Sequence, residues 1–462
     1  MKTRSVLSLL LALLLALSLA ACDSGNPEST SAPTGAGKTD APTAAPTDAP
    51  TDAPTDAPTD APTAAPTEAP TEPETAPSVD PSAAEVKIGD TYYATFVDAL
   101  DVALAGDTIT LLKDLDTTES VFPFVDGELP LVIDGDGHTI NASIPAAAYM
   151  SLVGGAVNLK NITINYTETT NSESGFGAVK VPSGSSMTLD NVTINALVNN
   201  ALYVSGEGVI TVNSGTYTVV EGNSVPYSNV IDARSGGNMI INGGEFSRLD
   251  TGIVRAMIRL DKGSDIVIND GTFYSATGRI IFTNGKDSGT LKSFIINGGE
   301  FEIGHGDPSK PIDYMFNMAQ NGIGTINGGK FSVRAGSTIA DGGSNVPLAM
   351  FYLGNTASTV NVNGGEFTNT DGSILKIKSG NFIVRGGSLS ADATDFLEIP
   401  EGASSDAIVF ELHGGDIATH SEAEKATLNS YVYATSTVQD YGTSLHITAA
   451  PDDVPETEAP AA

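Results

Sequence analysis

Of the 462 residues in this chain, those able to carry chemistry are acids, a few tyrosines and histidines, and the single cysteine, Cys22. Gly304-His305-Gly306 sets an imidazole in a glycine turn, where it could serve as a general acid or base if carboxylates stood beside it. Asp134-Gly135-Asp136-Gly137 offers two acids in a tight turn, and Asp261, Asp265 and Asp270 lie close in sequence. Such acids could hold calcium, with a Lys or Arg as the base of an elimination, whereas hydrolysis of a glycoside would need converging carboxylates, one of them protonated. Period-2 strands scatter these side chains over different faces, and Asp beside Gly is ordinary corner chemistry, so no catalytic residue and no metal ligand is assigned. Calcium is the only cofactor these acids could take. What remains is a ligand-binding set: Glu245, Glu300 and Glu366, with Tyr203, Tyr274 and Tyr352 as stacking platforms where exposed, since the chain has no Trp.

The elements that position these residues are repeats. INGGEF (Ile241 to Phe246), INDGTF (Ile268 to Phe273), INGGEF (Ile296 to Phe301), INGGKF (Ile326 to Phe331) and VNGGEF (Val362 to Phe367) recur, with degenerate copies from LKNITI at Leu159 to LHGGDI at Leu412. Their spacing averages about 28 residues, giving about eleven units when Ile133 to Ile140 is included. A second short alternating run precedes each hexapeptide, among them AYMSLV, ALYVSG, AMIRLDKG, YMFNMA and AMFYLG. Units this small cannot bury their own apolar side chains, so they must stack. The pattern predicts an all-β parallel solenoid of three short strands per coil, eleven coils at about 4.8 Å each making a rod on the order of 50 Å long.

Stacking predicts ladders. Tyr217, Phe246, Phe273, Phe301, Phe331 and Phe367 should stack inside, and Asn213, Asn242, Asn269, Asn297, Asn327 and Asn363 should hydrogen-bond from coil to coil, with paired glycines turning the corner. The fifth hexapeptide position should point outward, running Thr163, Thr193, Thr216, Glu245, Thr272, Glu300, Lys330, Glu366, Ser388, Asp416. Lys330 between two glutamates suggests a cross-strand charge ladder, and the row as a whole reads either as a plain solvated face or as a polar groove for a neutral glycan. Thr95 with Asp98 reads as the capping box of a helix whose apolar face is Phe96, Ala99, Leu100, Ala103 and Leu104, covering the N-terminal opening. The stretch from Ser421 and the strands around Tyr431 to Ile447 would close the other end.

A helix followed by GDTITLLKDL, then IDGDGHTI, then NGGxF coils resembles the pectin-lyase-like right-handed β-helix proteins displayed on bacterial surfaces, over residues 83–450. The resemblance implies a right-handed parallel β-helix with an N-terminal capping α-helix, on a scaffold shared by lyases, hydrolases, carbohydrate binders and adhesins. The polygalacturonases of that group carry Asn-Thr-Asp, Asp-Asp, Gly-His-Gly and Arg-Ile-Lys in that order. Here Gly304-His305-Gly306 stands alone, and Lys376-Ile377-Lys378 only approximates the last.

Ahead of the repeats, Lys2 and Arg4 precede the apolar run Val6 to Ala21, an export signal too short for a comfortable membrane span. Leu19-Ala20-Ala21-Cys22 resembles a bacterial lipobox, which implies a diacylglyceryl thioether on Cys22 and cleavage before it. Residues 23–82 form a spacer with Pro at every fourth position from Pro42 to Pro70, expected to be disordered and extended, with a reach of up to about 190 Å. Residues 451–462 read as a disordered acidic tail. The net charge of −34 excludes nucleic acid as a partner, and one Cys excludes an intramolecular disulfide. The expectation is a lipoprotein with residues 1–22 as signal, held on the extracytoplasmic face of a bacterial membrane. Its folded domain would bind an extracellular polysaccharide or surface protein in an adhesin-like way, without catalysis; a divergent lyase or hydrolase, or a structural envelope protein, are the alternatives.

Overall fold

A computed structural model describes residues 79–117, 130–143, 155–167, 177–197, 200–220, 229–249, 255–284 and 291–449. The signal and lipobox (1–22, with Cys22), nearly all of the spacer, the tail (451–462) and the AYMSLV run lie outside them. The regular structure of the described residues is nearly all β: 33 strands join in one sheet dominated by parallel pairing, a pattern consistent with a β-helix or solenoid, and two more form a separate hairpin.

Each strand pairs with the strand one repeat further on, in three stacks. Ile231–Arg234, Asn238–Ile241 and Glu245–Arg248 pair in parallel with Ile258–Asp261, Asp265–Ile268 and Thr272–Ser275 respectively. The first stack also contains Gly177–Val181, Asn200–Ser205, Ile281–Asn284 and Phe316–Met318, and continues into Phe351–Val362 and Leu375–Val384. These are the alternating runs that precede the hexapeptides. The hexapeptide itself spans the corner between the second and third stacks.

Alternation sends every second residue inward, and the inward positions fuse into a continuous core running from Val86 to Ile447. The ring ladder forms as the repeat predicts. Tyr217, Phe246, Phe273, Phe301, Phe331 and Phe367 stack with centroids 4.5 to 4.9 Å apart, the spacing that strand pairing imposes. At the corner each asparagine donates through Nδ2 to the Oδ1 of the asparagine before it, from Asn242 to Asn363, at 2.8 to 2.9 Å. The second glycine of each corner is required. Gly299 has φ +104°, and a Cβ there would lie 2.8 Å from the carbonyl oxygen of Gly271 in the coil below.

Both ends leave the parallel pattern, which denies a neighbouring chain a regular parallel edge to pair with. Val86–Ile88 runs antiparallel to Thr91–Tyr93 and to Thr108–Leu111. Helix α1 (Phe96–Leu100) carries the expected capping box, with Thr95 Oγ1 accepting from the Asp98 N–H and Asp98 from the Thr95 N–H, both at 3.1 Å. It is shorter than its apolar face suggests. Asp107 accepts the Leu104 N–H and donates its own N–H back to the Leu104 carbonyl, so the chain turns away and leaves Leu104 65% exposed. Nor is α1 the only helix, since α2 (Glu422–Asn429) packs Leu428 onto the last strands, and Ser444–Thr448 closes antiparallel on Gly415–Ala418.

Candidate functional site

The six proposed ligand-binding residues fall on two different faces. Glu245, Glu300 and Glu366 belong to the outward row of the third stack. In register, that row reads Thr163, Thr193, Thr216, Glu245, Thr272, Glu300, Lys330, Glu366, Ser388, Asp416 without interruption. From Glu245 onward every member is exposed. Beside it the glycine corners leave two adjoining open depressions of about 530 and 570 Å³, which share Glu300 and Asp270 and together make a trough across several repeats. Lys330 lies between Glu300 and Glu366 in register, yet among the described residues it makes no ion pair within 4 Å.

Tyr274 lies on the same stack but one outward position on, and its polar tip is engaged. Its hydroxyl donates to the Gly304 carbonyl at 3.1 Å, and the Arg334 guanidinium, paired with Glu302, sits 5.1 Å over its ring.

Tyr203 and Tyr352 occupy the first stack, whose outward row runs Lys180, Tyr203, Asp232, Arg259, Phe282, Asn317, Tyr352, Lys376, Glu398. Tyr203 is not an exposed platform. It is 9% exposed, with Lys180 and Arg234 each 5.7 Å from its ring centre, and burial raises its pKa. Next to it Asp232 is fully buried, taking two hydrogen bonds from Arg234 at 2.7 and 2.9 Å, with Arg259 at 3.7 Å. Arg259 also reaches Asp261 at 3.3 Å. Acids and arginines here neutralise one another.

Tyr352 stands in a more open place. It stacks on Tyr314, centroids 4.8 Å apart, and both line a cleft of about 650 Å³. One wall is a hairpin, Thr338–Asp341 paired with Ser344–Pro347, turned by Gly342 and Gly343 at φ +58° and +88°; the opposite rim carries Pro400. Lys376 anchors the hairpin tip, its Nζ 3.1 Å from Asp341 and 2.7 Å from Glu398. Burial alone would lower the Lys376 pKa, but these two carboxylates raise it and keep the ammonium charged. Arg279 donates through Nε to Asp313 at 2.6 Å, and burial pushes the Tyr314 hydroxyl up to about 12. Tyr314, Arg279, Asn317 and Lys376 were not among the expected site residues. Asn317 was legible, since alternation puts it outward between Phe316 and Met318, in phase with Tyr352.

The remaining candidates serve local structure. Asp134 Oδ1 accepts from the Asp136 N–H at 3.0 Å and from Asn161 at 3.2 Å, and Lys160 lies 3.2 Å from Oδ2. Asp261 pairs with Arg259, Asp265 accepts from Ser293, and Asp270 accepts the Gly271 N–H, so the three do not converge. His305 Nδ1 accepts the Asp307 N–H at 3.1 Å in its turn, with no carboxylate bonded to the ring. Among the described residues, Asp395, His420 and Glu424 gather three metal-type ligand atoms. Glu424 there already accepts the N–H groups of Phe396 and His420, and His420 Nδ1 lies 2.9 Å from it, which fastens α2 to the last coils.

A family model described as PT disordered repeat matches residues 38–72. No curated protein and no solved structure matches the chain. Among the described residues no helix is long and apolar enough to cross a membrane.

Proposed function

We propose that this is a lipid-anchored surface protein whose right-handed parallel β-helix of about eleven coils binds an extracellular polysaccharide without transforming it. Residues 1–22 act as lipoprotein signal and residues 23–82 as a spacer, with Cys22 the lipidated terminus on the extracytoplasmic face of a bacterial membrane. The observation that carries the binding role is the outward row of the third stack. It offers exposed hydroxyls and charges at one-coil intervals along an open trough, the arrangement a polymer of repeating units can follow.

Two further observations favour binding over catalysis. The described carboxylates whose pKa is displaced are Asp80, Asp114, Asp134, Asp307 and Asp440, and all are displaced downward, the wrong direction for a general acid. On the first stack Asp232 and Asp261 are held by Arg234 and Arg259. Immobilised protein should retain one or more neutral glycans from an array, and replacing Glu300 and Glu366 by Gln together with Lys330→Ala should change which are retained. Retention of nothing, or retention that ignores these changes, contradicts the trough as the binding surface.

A further inference from the structure

A second cleft, walled by the hairpin, lies on the first stack and shares no lining residue with the trough. Three features set it apart from an ordinary surface hollow. Asn317 is only 7% exposed and lines it; its Nδ2 donates to Asp313 at 3.1 Å, but its Oδ1 is buried with no partner among the described residues. A buried acceptor left unmatched is destabilising, and a donor entering the cleft would relieve it. Beside it the Tyr314–Tyr352 pair forms a half-exposed aromatic wall, and among the described residues neither hydroxyl has a partner.

The charges complete the specification. Arg279 is paired with Asp313, and Lys376 with Asp341 and Glu398, while Lys378 at the rim is exposed. Three cations thus face three carboxylates, in a domain that carries 19 basic against 41 acidic residues in all between 83 and 450. A site that is polar, aromatic on one side and balanced in charge suits a neutral ligand with hydroxyls. A carboxylated sugar would meet Asp313 and Asp341 at close range, and an apolar ligand would strand Asn317.

We infer that this cleft binds a single neutral sugar unit, its ring stacked on the Tyr314–Tyr352 wall and one of its hydroxyls donating to Asn317 Oδ1. This rests on the polysaccharide-binding reading, and adds to it a defined subsite apart from the trough. Asn317 Oδ1 is itself buried, so its side chain must turn toward the cleft to meet the hydroxyl.

Calorimetric titration of the full chain with hexamers of glucose, mannose and galactose, and with an oligogalacturonate hexamer as the charged counterpart, tests it. One or more neutral hexamers should bind and the charged one should not. Tyr352→Ala should weaken binding about tenfold or more, while Tyr352→Phe, which keeps the ring, stays much closer to the parent. Melting temperatures of the variants separate lost binding from lost folding. If neutral glycans bind but Tyr352→Ala has no effect while the Glu300/Glu366 changes abolish binding, the cleft assignment is wrong and the trough reading stands. Tighter binding of the charged hexamer, weakened by Lys378→Ala, overturns the neutral-sugar inference, and no binding of any hexamer overturns both.

Discussion

At the scale of single residues the molecule is held by charged side chains that bond to one another. Asp232 is the clearest case. Buried between Arg234 and Arg259, it has nothing to offer a substrate, but its loss would leave two guanidinium groups facing each other in a low-dielectric site. Asp232→Ala should therefore cost about 3–5 kcal/mol in chemical denaturation; a loss under about 1 kcal/mol would mean the cluster does not hold the first stack together. Asp134 gives the pH dependence. Burial alone would raise its pKa, but bonds from the Asp136 N–H, Asn161 and Lys160 lower it. A group with a depressed folded pKa stabilises the fold above its unfolded value of about 4, and that contribution fades as pH falls through the folded value. Melting temperature should thus drop on the acid side below about pH 4, and less steeply in Asp134→Asn. The asparagine ladder offers an internal comparison. Asn297 both donates to Asn269 and accepts from Asn327, whereas Asn363 donates to Asn327 and its Oδ1 has no partner. Asn297→Ala should cost about 1–2 kcal/mol and Asn363→Ala about half of that, at roughly 1 kcal/mol per bond.

At the scale of elements, the second and third stacks were readable in the sequence and much of the first was not. The NGGxF hexapeptide fixes the phase of inward and outward residues, so the ring ladder, the amide ladder and the outward Glu row could all be placed by number. The first-stack runs share no such signature, and their phase shows only once Phe316 is set against Phe351. Tyr203 illustrates the cost: alternation puts it outward, but the basic side chains of Lys180 and Arg234 close over it. The 36-residue step between Phe331 and Phe367 looked like irregular spacing; it contains the hairpin that walls the Tyr352 cleft. Helix α1 ended early because Asp107 captures Leu104, a side-chain bond that no apolar periodicity reveals. Packing between coils can be tested at Gly324, which is in register with Phe294. A Cβ at Gly324 would lie 2.1 Å from that ring, so Gly324→Val should destabilise by at least about 1–3 kcal/mol in thermal or chemical unfolding. An unchanged midpoint would show that the coils can shift to make room.

At the scale of the whole molecule, the proposed surface-displayed binder joins a repeat-built domain to a spacer, part of which a PT repeat model matches, and to a lipobox-like N-terminus. Its chemistry is consistent with that role: outward polar residues recur coil after coil, and on the first stack Asp232 and Asp313 are paired with arginines. The anchoring half of the account predicts that the parent protein partitions with membranes and that Cys22→Ala releases it, as fractionation would show. The central claim is that the domain holds a glycan and leaves it intact. The most direct test is prolonged incubation of the protein with each glycan it retains, with and without calcium, measuring both the bound fraction and any new reducing ends or unsaturated products. The account predicts steady retention with no product under either condition. Accumulation of product, with or without calcium, would contradict it and make the molecule an enzyme.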